Sequence, residues 1–210
     1  MTYKELIDNI RDLGFSDDSE IDEFEEDVDV IANAINRAIT EISIEYAPII
    51  GKYEVPVPPT EAVEENGVLK EVVPDMFEID MQAVTDDKFL GFADTPVKKE
   101  LKSGIYTKFS DFEIESDDTI ILHTSDYENL VIFYKEMPDK YVWGENNDAR
   151  LPLPLHAHHL VPLLASYYVW LDDDLTKAQL YYERYSVAVQ NALAEKDKPR
   201  ARILTGWGEI

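Results

Sequence analysis

Three histidines, His156, His158 and His159, stand shortly ahead of three consecutive aspartates, Asp172, Asp173 and Asp174. Imidazole nitrogens and carboxylate oxygens are the donors a divalent metal takes, so this is the first place to look for chemistry. The spacing completes no closed ligand set. A calcium loop of the EF-hand kind spreads its ligands over about twelve positions around a central glycine, and the aspartate run has neither. The expectation is therefore that no metal is bound, that the histidines flank the start of a helix, and that one aspartate caps the helix that follows by accepting a first-turn N–H. No glycine loop for phosphate, no GxSxG, no HExxH and no cysteine is present. Among 44 acidic residues no acid/base pair is singled out. The sequence predicts no catalytic residue, no cofactor and no enzyme, a metal-dependent hydrolase built on the histidines being the weakest alternative.

The elements that must position these residues form a helical hairpin. Its first arm, from Leu160 to Leu171, is apolar on nearly every side, which implies more than one neighbour. Its second arm places Leu175, Ala178, Tyr182, Tyr185, Val189 and Ala192 at steps of three and four, one face of a helix. Leu163, Tyr167, Tyr168, Trp170, Tyr182, Tyr185 and Val189 are the expected hairpin core. The tyrosines, Tyr181 among them, read as core residues with hydroxyls at the rim in preference to an aromatic ligand site. Pro162 should kink the first arm or mark its true start.

The formal charge of −25 argues against a surface that grips nucleic-acid phosphates. The longest apolar run is shorter than the roughly 20 residues of a membrane span, and the N-terminal residues MTYKELIDNIRDLG lack the unbroken apolar stretch of a secretory signal, so a soluble protein is expected. Leu6, Ile7, Ile10 and Leu13 predict a short helix ended by Gly14. An acidic run from Asp17 to Asp27 follows, read as a solvated helix start. Val28, Ile31, Ile35, Ile39, Ile42 and Tyr46 then make a long helical stripe, closed by Pro48 and Gly51. From Lys52 to Pro138 prolines are frequent and short β-branched runs predict strands at Val72 to Val84, Ile105 to Ile114, Thr119 to His123 and Leu130 to Tyr134, the last two as an antiparallel hairpin.

The expected fold is α+β: a helical bundle made by residues 1–51 and 150–195, with an antiparallel β module and linker inserted at 52–149. Residues 196–210 make an extended arm that is basic through Lys196, Lys198, Arg200 and Arg202 and apolar through Ile203, Leu204, Trp207 and Ile210. Such an arm suits docking on another protein, with Trp207 as anchor.

The succession resembles one known family. A last strand ending in Tyr134 and Pro138, a Leu-Pro segment, a histidine-rich entry and then AxYYxWLDDDxxKAQxYYxRY lie in order. That pattern is carried by Ala165, Tyr167, Tyr168, Trp170 to Asp174, Lys177 to Gln179, Tyr181, Tyr182, Arg184 and Tyr185, and it is similar to the head-to-tail connector (adaptor) proteins of tailed bacteriophages. The resemblance is specific from Leu130 to Ala194, while the large β region and the acidic N-terminal segment depart from a minimal adaptor. It implies a structural virion protein of the neck, assembled in the host cytoplasm. About a dozen copies would form a ring beneath the portal protein, meet a tail or stopper-type neck protein below, and let DNA pass through the lumen without specific binding. Another neck or tail-completion protein, or an acidic DNA-mimic inhibitor, are the competing readings.

Overall fold

The computed structural model describes residues 1–14, 28–65, 68–102 and 104–196. About 38% of them are helical and 31% lie in strands, so neither class of element prevails by length. Three antiparallel sheets dominate the core, and the expected helical bundle with a β insertion is not what forms. The reason lies in where the apolar side chains go: Ile79, Ile120, Leu122, Leu130, Ile132 and Val97 come from strands and close one cluster among themselves. Helix-on-helix packing is confined to a few elements. The chain divides into two compact units, one from Met1–Ala38, Tyr141–Leu151 and Leu155–Ile210, the other from Ile39–Lys140 and Pro152–Pro154.

The first unit begins with α1 (Tyr3–Gly14), which buries Tyr3, Leu6, Ile7 and Ile10. Thr2 and Glu5 form a reciprocal capping box: the Glu5 N–H donates to Thr2 Oγ1 at 3.2 Å and the Thr2 N–H donates to Glu5 Oε2 at 3.0 Å. Next comes α2 (Val28–Glu45), which belongs to this unit up to Ala38 and to the second from Ile39, with Ile31, Ile35, Ile39 and Ile42 fully buried along the stripe read from the sequence. A short 3₁₀ turn (Leu155–Ala157) precedes α4 (Val161–Trp170) and α5 (Leu175–Lys196). Pro162 sits in the first turn of α4, where its missing N–H costs nothing, so it marks the start and not a kink. The close helix pairs are α4 with α5 and α1 with α4.

In the second unit, β1 (Ile50–Glu54), β9 (Leu130–Glu136), β5 (Phe89–Lys102) and β6 (Ile105–Lys108) make one sheet in that order. A second sheet runs β4 (Met76–Asp80), β8 (Thr119–His123), β7 (Phe112–Ile114). Among the described residues, strands β2 (Glu61–Glu65) and β3 (Val68–Val72) pair only with each other, and α3 (Met81–Val84) is one turn capped by the Asp80 carboxylate.

The expected hairpin of β8 with β9 does not form. Both edges of β8 are filled, by β4 and β7, so β9 has no place beside it. Between them Tyr127 is buried and its hydroxyl donates to the Pro74 carbonyl at 2.8 Å, while Asn129 takes a positive φ of 59°. That left-handed residue turns the chain into the other sheet, where β9 lies between β1 and β5.

Candidate functional surface

Asp174 caps α5: its Oδ1 accepts from the Thr176 N–H at 2.9 Å and the Lys177 N–H at 3.1 Å, while Asp172 and Asp173 are exposed. Lys177 reaches back over the Trp170 ring, 3.9 Å from its centroid, tying the loop to the end of α4. The histidines diverge. His156 and His159 are exposed, whereas His158 is buried with Nδ1 3.0 Å from the Met1 amino group. Among the described residues no group of three His, Asp or Glu side chains is placed to hold a metal ion.

Of the expected hairpin core, Trp170 and Tyr185 are buried, and Leu163, Tyr167, Tyr168 and Val189 are half-buried. Tyr182 is 47% exposed and Leu175 70%. The inward face of α5 runs Ala178, Tyr181, Tyr185: Ala178 and Tyr185 lie on the face expected, and Tyr181 stands there in place of Tyr182. From Ala178 a step of three and a step of four are equally helical, so periodicity alone does not choose between adjacent tyrosines. The choice is made by a polar partner: the Tyr181 hydroxyl donates to the Leu13 carbonyl at the end of α1, one of the acceptors a helix leaves unpaired.

Tyr182 is not idle at the rim. Its ring lies 5.1 Å from that of Tyr167 and 6.2 Å from that of Tyr185, and Tyr167 lies 4.9 Å from Tyr168. The Arg37 guanidinium of α2 covers the Tyr168 ring at 4.0 Å. Leu175, Tyr182 and Leu193 follow one another along the same side of α5 at intervals of seven and eleven, so the aromatic group continues as an exposed apolar stripe. Exposed apolar side chains grouped in this way are the kind of surface on which macromolecules associate.

Of the arm, Lys196 is the last residue of α5, and Lys198, Arg200, Arg202, Ile203, Leu204, Trp207 and Ile210 lie outside the described residues. The acidic run from Asp17 to Asp27 lies outside them too.

A group that the sequence reading passed over stands on the sheet of the second unit. Register places Lys52, Phe133, Lys98, Tyr106 and Lys108 on one face. Lys52 Nζ donates to the Tyr106 hydroxyl at 3.2 Å, and Lys98 Nζ lies 4.4 Å from the centre of the Phe133 ring. The Tyr106 ring meets Phe133 edge-on at 5.2 Å. The signal in the sequence was KKELKSGIYTK, four lysines between Lys98 and Lys108 in an otherwise acidic chain. On the other face Lys99 is committed to Asp126 at 2.6 Å, and its ammonium holds the Asp126 carboxyl below the usual range. Lys88 is raised in turn by its hydrogen bond to Asp139, 2.7 Å away.

No helix among the described residues is long and apolar enough to cross a membrane. Compared with known proteins, the chain matches no family model and no curated protein.

Proposed function

We propose that this protein is a non-enzymatic connector of a tailed-bacteriophage virion, a ring subunit set between the portal protein and a tail or stopper-type neck protein. The observation that carries the proposal is the run from Ala165 to Tyr185. Its residues resemble the adaptor pattern and fold as a capped helical hairpin that leaves Leu175, Tyr182 and Leu193 exposed along one side. A subunit that works by contact needs such a surface and needs no pocket of reactive groups.

The charge supports the same reading. A chain at −25 repels a polyanion, and a conduit for DNA works best when its wall does not trap phosphates. The segment from Lys196 to Ile210 has the opposite character, four cations with Trp207 and three aliphatic residues, and is suited to clasping the portal or an adjacent subunit.

Mixing the purified protein with the portal of the phage that encodes it, and imaging the product by electron microscopy, tests the proposal. A ring coaxial with the portal is expected. A protein that never docks there, or a virion map that places it away from the neck, overturns the reading.

A further inference from the structure

The β2–β3 pair forms a two-stranded sheet joined to neither of the other two. Two strands alone are marginal in water. Register puts Val63, Val68 and Val72 on one face and Leu69 with Ala62 on the other, and all five are exposed, Leu69 by 73%. From Glu61 to Val72 there are four glutamates against one lysine, a net of −3. An acidic hairpin with apolar side chains on both faces lacks the surface that would complete it.

A second hairpin in the same unit is its opposite. From Lys98 to Lys108, at the β5–β6 end of the four-stranded sheet, four lysines stand against one glutamate, a net of +3, although Lys99 is paired with Asp126 on the opposite face. Leu101 and Ile105 near its tip are 59% and 56% exposed. Lys98 and Lys108 face each other across the strand pair, an arrangement of like charges that destabilises a sheet unless an anion intervenes. Lys52, held at Tyr106, extends the cationic face.

We infer that the acidic β2–β3 hairpin of one copy of this chain docks on the basic β5–β6 hairpin and Lys52 of a second copy. Charge and apolar exposure match on the two sides. Within the single chain the described residues of the acidic hairpin's strands are exposed, and on the basic side Lys52, Leu101, Ile105 and Lys108 are exposed while Lys98 and Tyr106 are half-buried. Because the two surfaces differ, the contact is head-to-tail, and repeated it gives a closed ring or a filament, not a symmetric pair. The inference goes beyond the connector reading, since copies can join this way whatever the ring is attached to.

The test is sedimentation velocity on the full chain at low and high salt, with two charge-reversed triples, K52E/K98E/K108E and E61K/E64K/E71K. Wild type should self-associate reversibly and less so in salt, and each triple alone should associate at least about tenfold more weakly. An equimolar mixture of the two triples should associate again, because the acidic hairpin of the first fits the intact lysines of the second, and the reversed pair also matches. Circular dichroism on each triple separates loss of contact from loss of fold, and a misfolded triple is replaced by its single-site members. Since the chain has no cysteine, Val63→Cys and Tyr106→Cys on two distinguishable copies, mixed with oxidised glutathione to take up the two electrons, should trap a disulfide-linked pair. A wild type that stays monomeric at low salt, or folded triples that associate as wild type does, overturns the inference. Self-association through these hairpins by a protein that never docks on a portal would keep this inference and remove the connector reading; a portal-bound ring indifferent to both reversals would do the opposite.

Discussion

Asn36 holds Tyr141 by both sides of its backbone, across 105 positions of sequence: the Tyr141 N–H donates to Asn36 Oδ1 at 2.7 Å, and Asn36 Nδ2 donates to the Tyr141 carbonyl at 2.9 Å. The Tyr141 ring stacks on Tyr3 at 4.3 Å, and its hydroxyl donates to Asn147 Oδ1 at 2.6 Å. One amide thus fixes the linker to α2 and presents its aromatic ring to α1. Asn36→Ala leaves a buried residue's N–H and C=O without these partners and should lower stability by about 2 kcal/mol. Tyr141→Phe, which keeps the backbone clamp and loses the hydroxyl's bonds with Asn147 and the Gly144 backbone, should cost about 1 kcal/mol. Urea denaturation of both variants checks the ratio, and equal losses would mean the backbone clamp contributes nothing of its own.

Gly51 lies directly across from Tyr134 in the β1–β9 ladder, with the tyrosine ring folded over it. A Cβ at position 51 would stand 2.5 Å from Tyr134 Cζ, nearer than carbon atoms approach. The ring is buried among strand residues, so it can give way only by displacing its neighbours. Gly51→Ala should therefore destabilise by about 1–3 kcal/mol. Combining it with Tyr134→Leu should cost less than the sum of the two single changes, a coupling that a double-mutant cycle measures.

How much of this was readable in advance varied with the kind of constraint. The α2 stripe was legible because four isoleucines at helical spacing all point one way, and Thr119–His123 was bounded by turn residues at both ends. Strand partners were not legible. β1 and β9 are far apart in sequence, and nothing local says that β9 fits between β1 and β5 and not beside β8. β5 escaped notice because Gly91, Asp94 and Pro96 interrupt it, and the ladder accommodates them by register shifts. At the candidate surface the capping aspartate and the tyrosine group were expected, but the buried one of two adjacent tyrosines is set by a carbonyl at Leu13. The lysine cluster could be counted in the sequence, yet only register reveals that Lys52 joins it.

The assignment of the α5 face is open to a direct check. Tyr181→Phe removes the hydroxyl bond to Leu13 and should cost about 1 kcal/mol. Tyr182→Ala, at a half-exposed site, should cost distinctly less than Tyr185→Ala, for which truncation of a buried aromatic sets a scale of about 3–5 kcal/mol. A silent Tyr181→Phe together with a Tyr182→Ala as costly as Tyr185→Ala would put Tyr182, and not Tyr181, on the inward face.

The pair Lys99–Asp126 predicts a pH effect of defined sign. The carboxyl is depressed in the folded state, first by the Lys99 hydrogen bond and then by the Glu128 backbone N–H. Its contribution to stability is present above the ordinary aspartate range near 3.8 and is lost as pH falls through the depressed value. In Lys99→Met the Asp126 carboxyl should titrate nearer its ordinary range. Carbon-detected NMR titration of the side chain resolves the change, and an unmoved midpoint would show that the ammonium is not the cause. Because both groups are open to solvent, thermal stability at neutral pH should barely respond.

Truncation after Lys196 separates assembly from folding. The described core ends with α5, whose buried residues Ala178, Tyr181 and Tyr185 all precede the cut. If the segment beyond acts only between molecules, its loss should leave the melting temperature of the isolated protein unchanged while portal docking falls. An acidic DNA mimic would behave differently, because the anionic surface it needs survives the cut and inhibition of a DNA-binding protein would persist. The fall should trace to Trp207 more than to any one cation, since a buried aromatic anchor carries more binding energy than an exposed charge. Trp207→Ala in the full-length chain should accordingly weaken docking more than Arg200→Ala. Equal effects of the two would make the arm an electrostatic tether, and docking unaffected by the truncation would remove its role altogether.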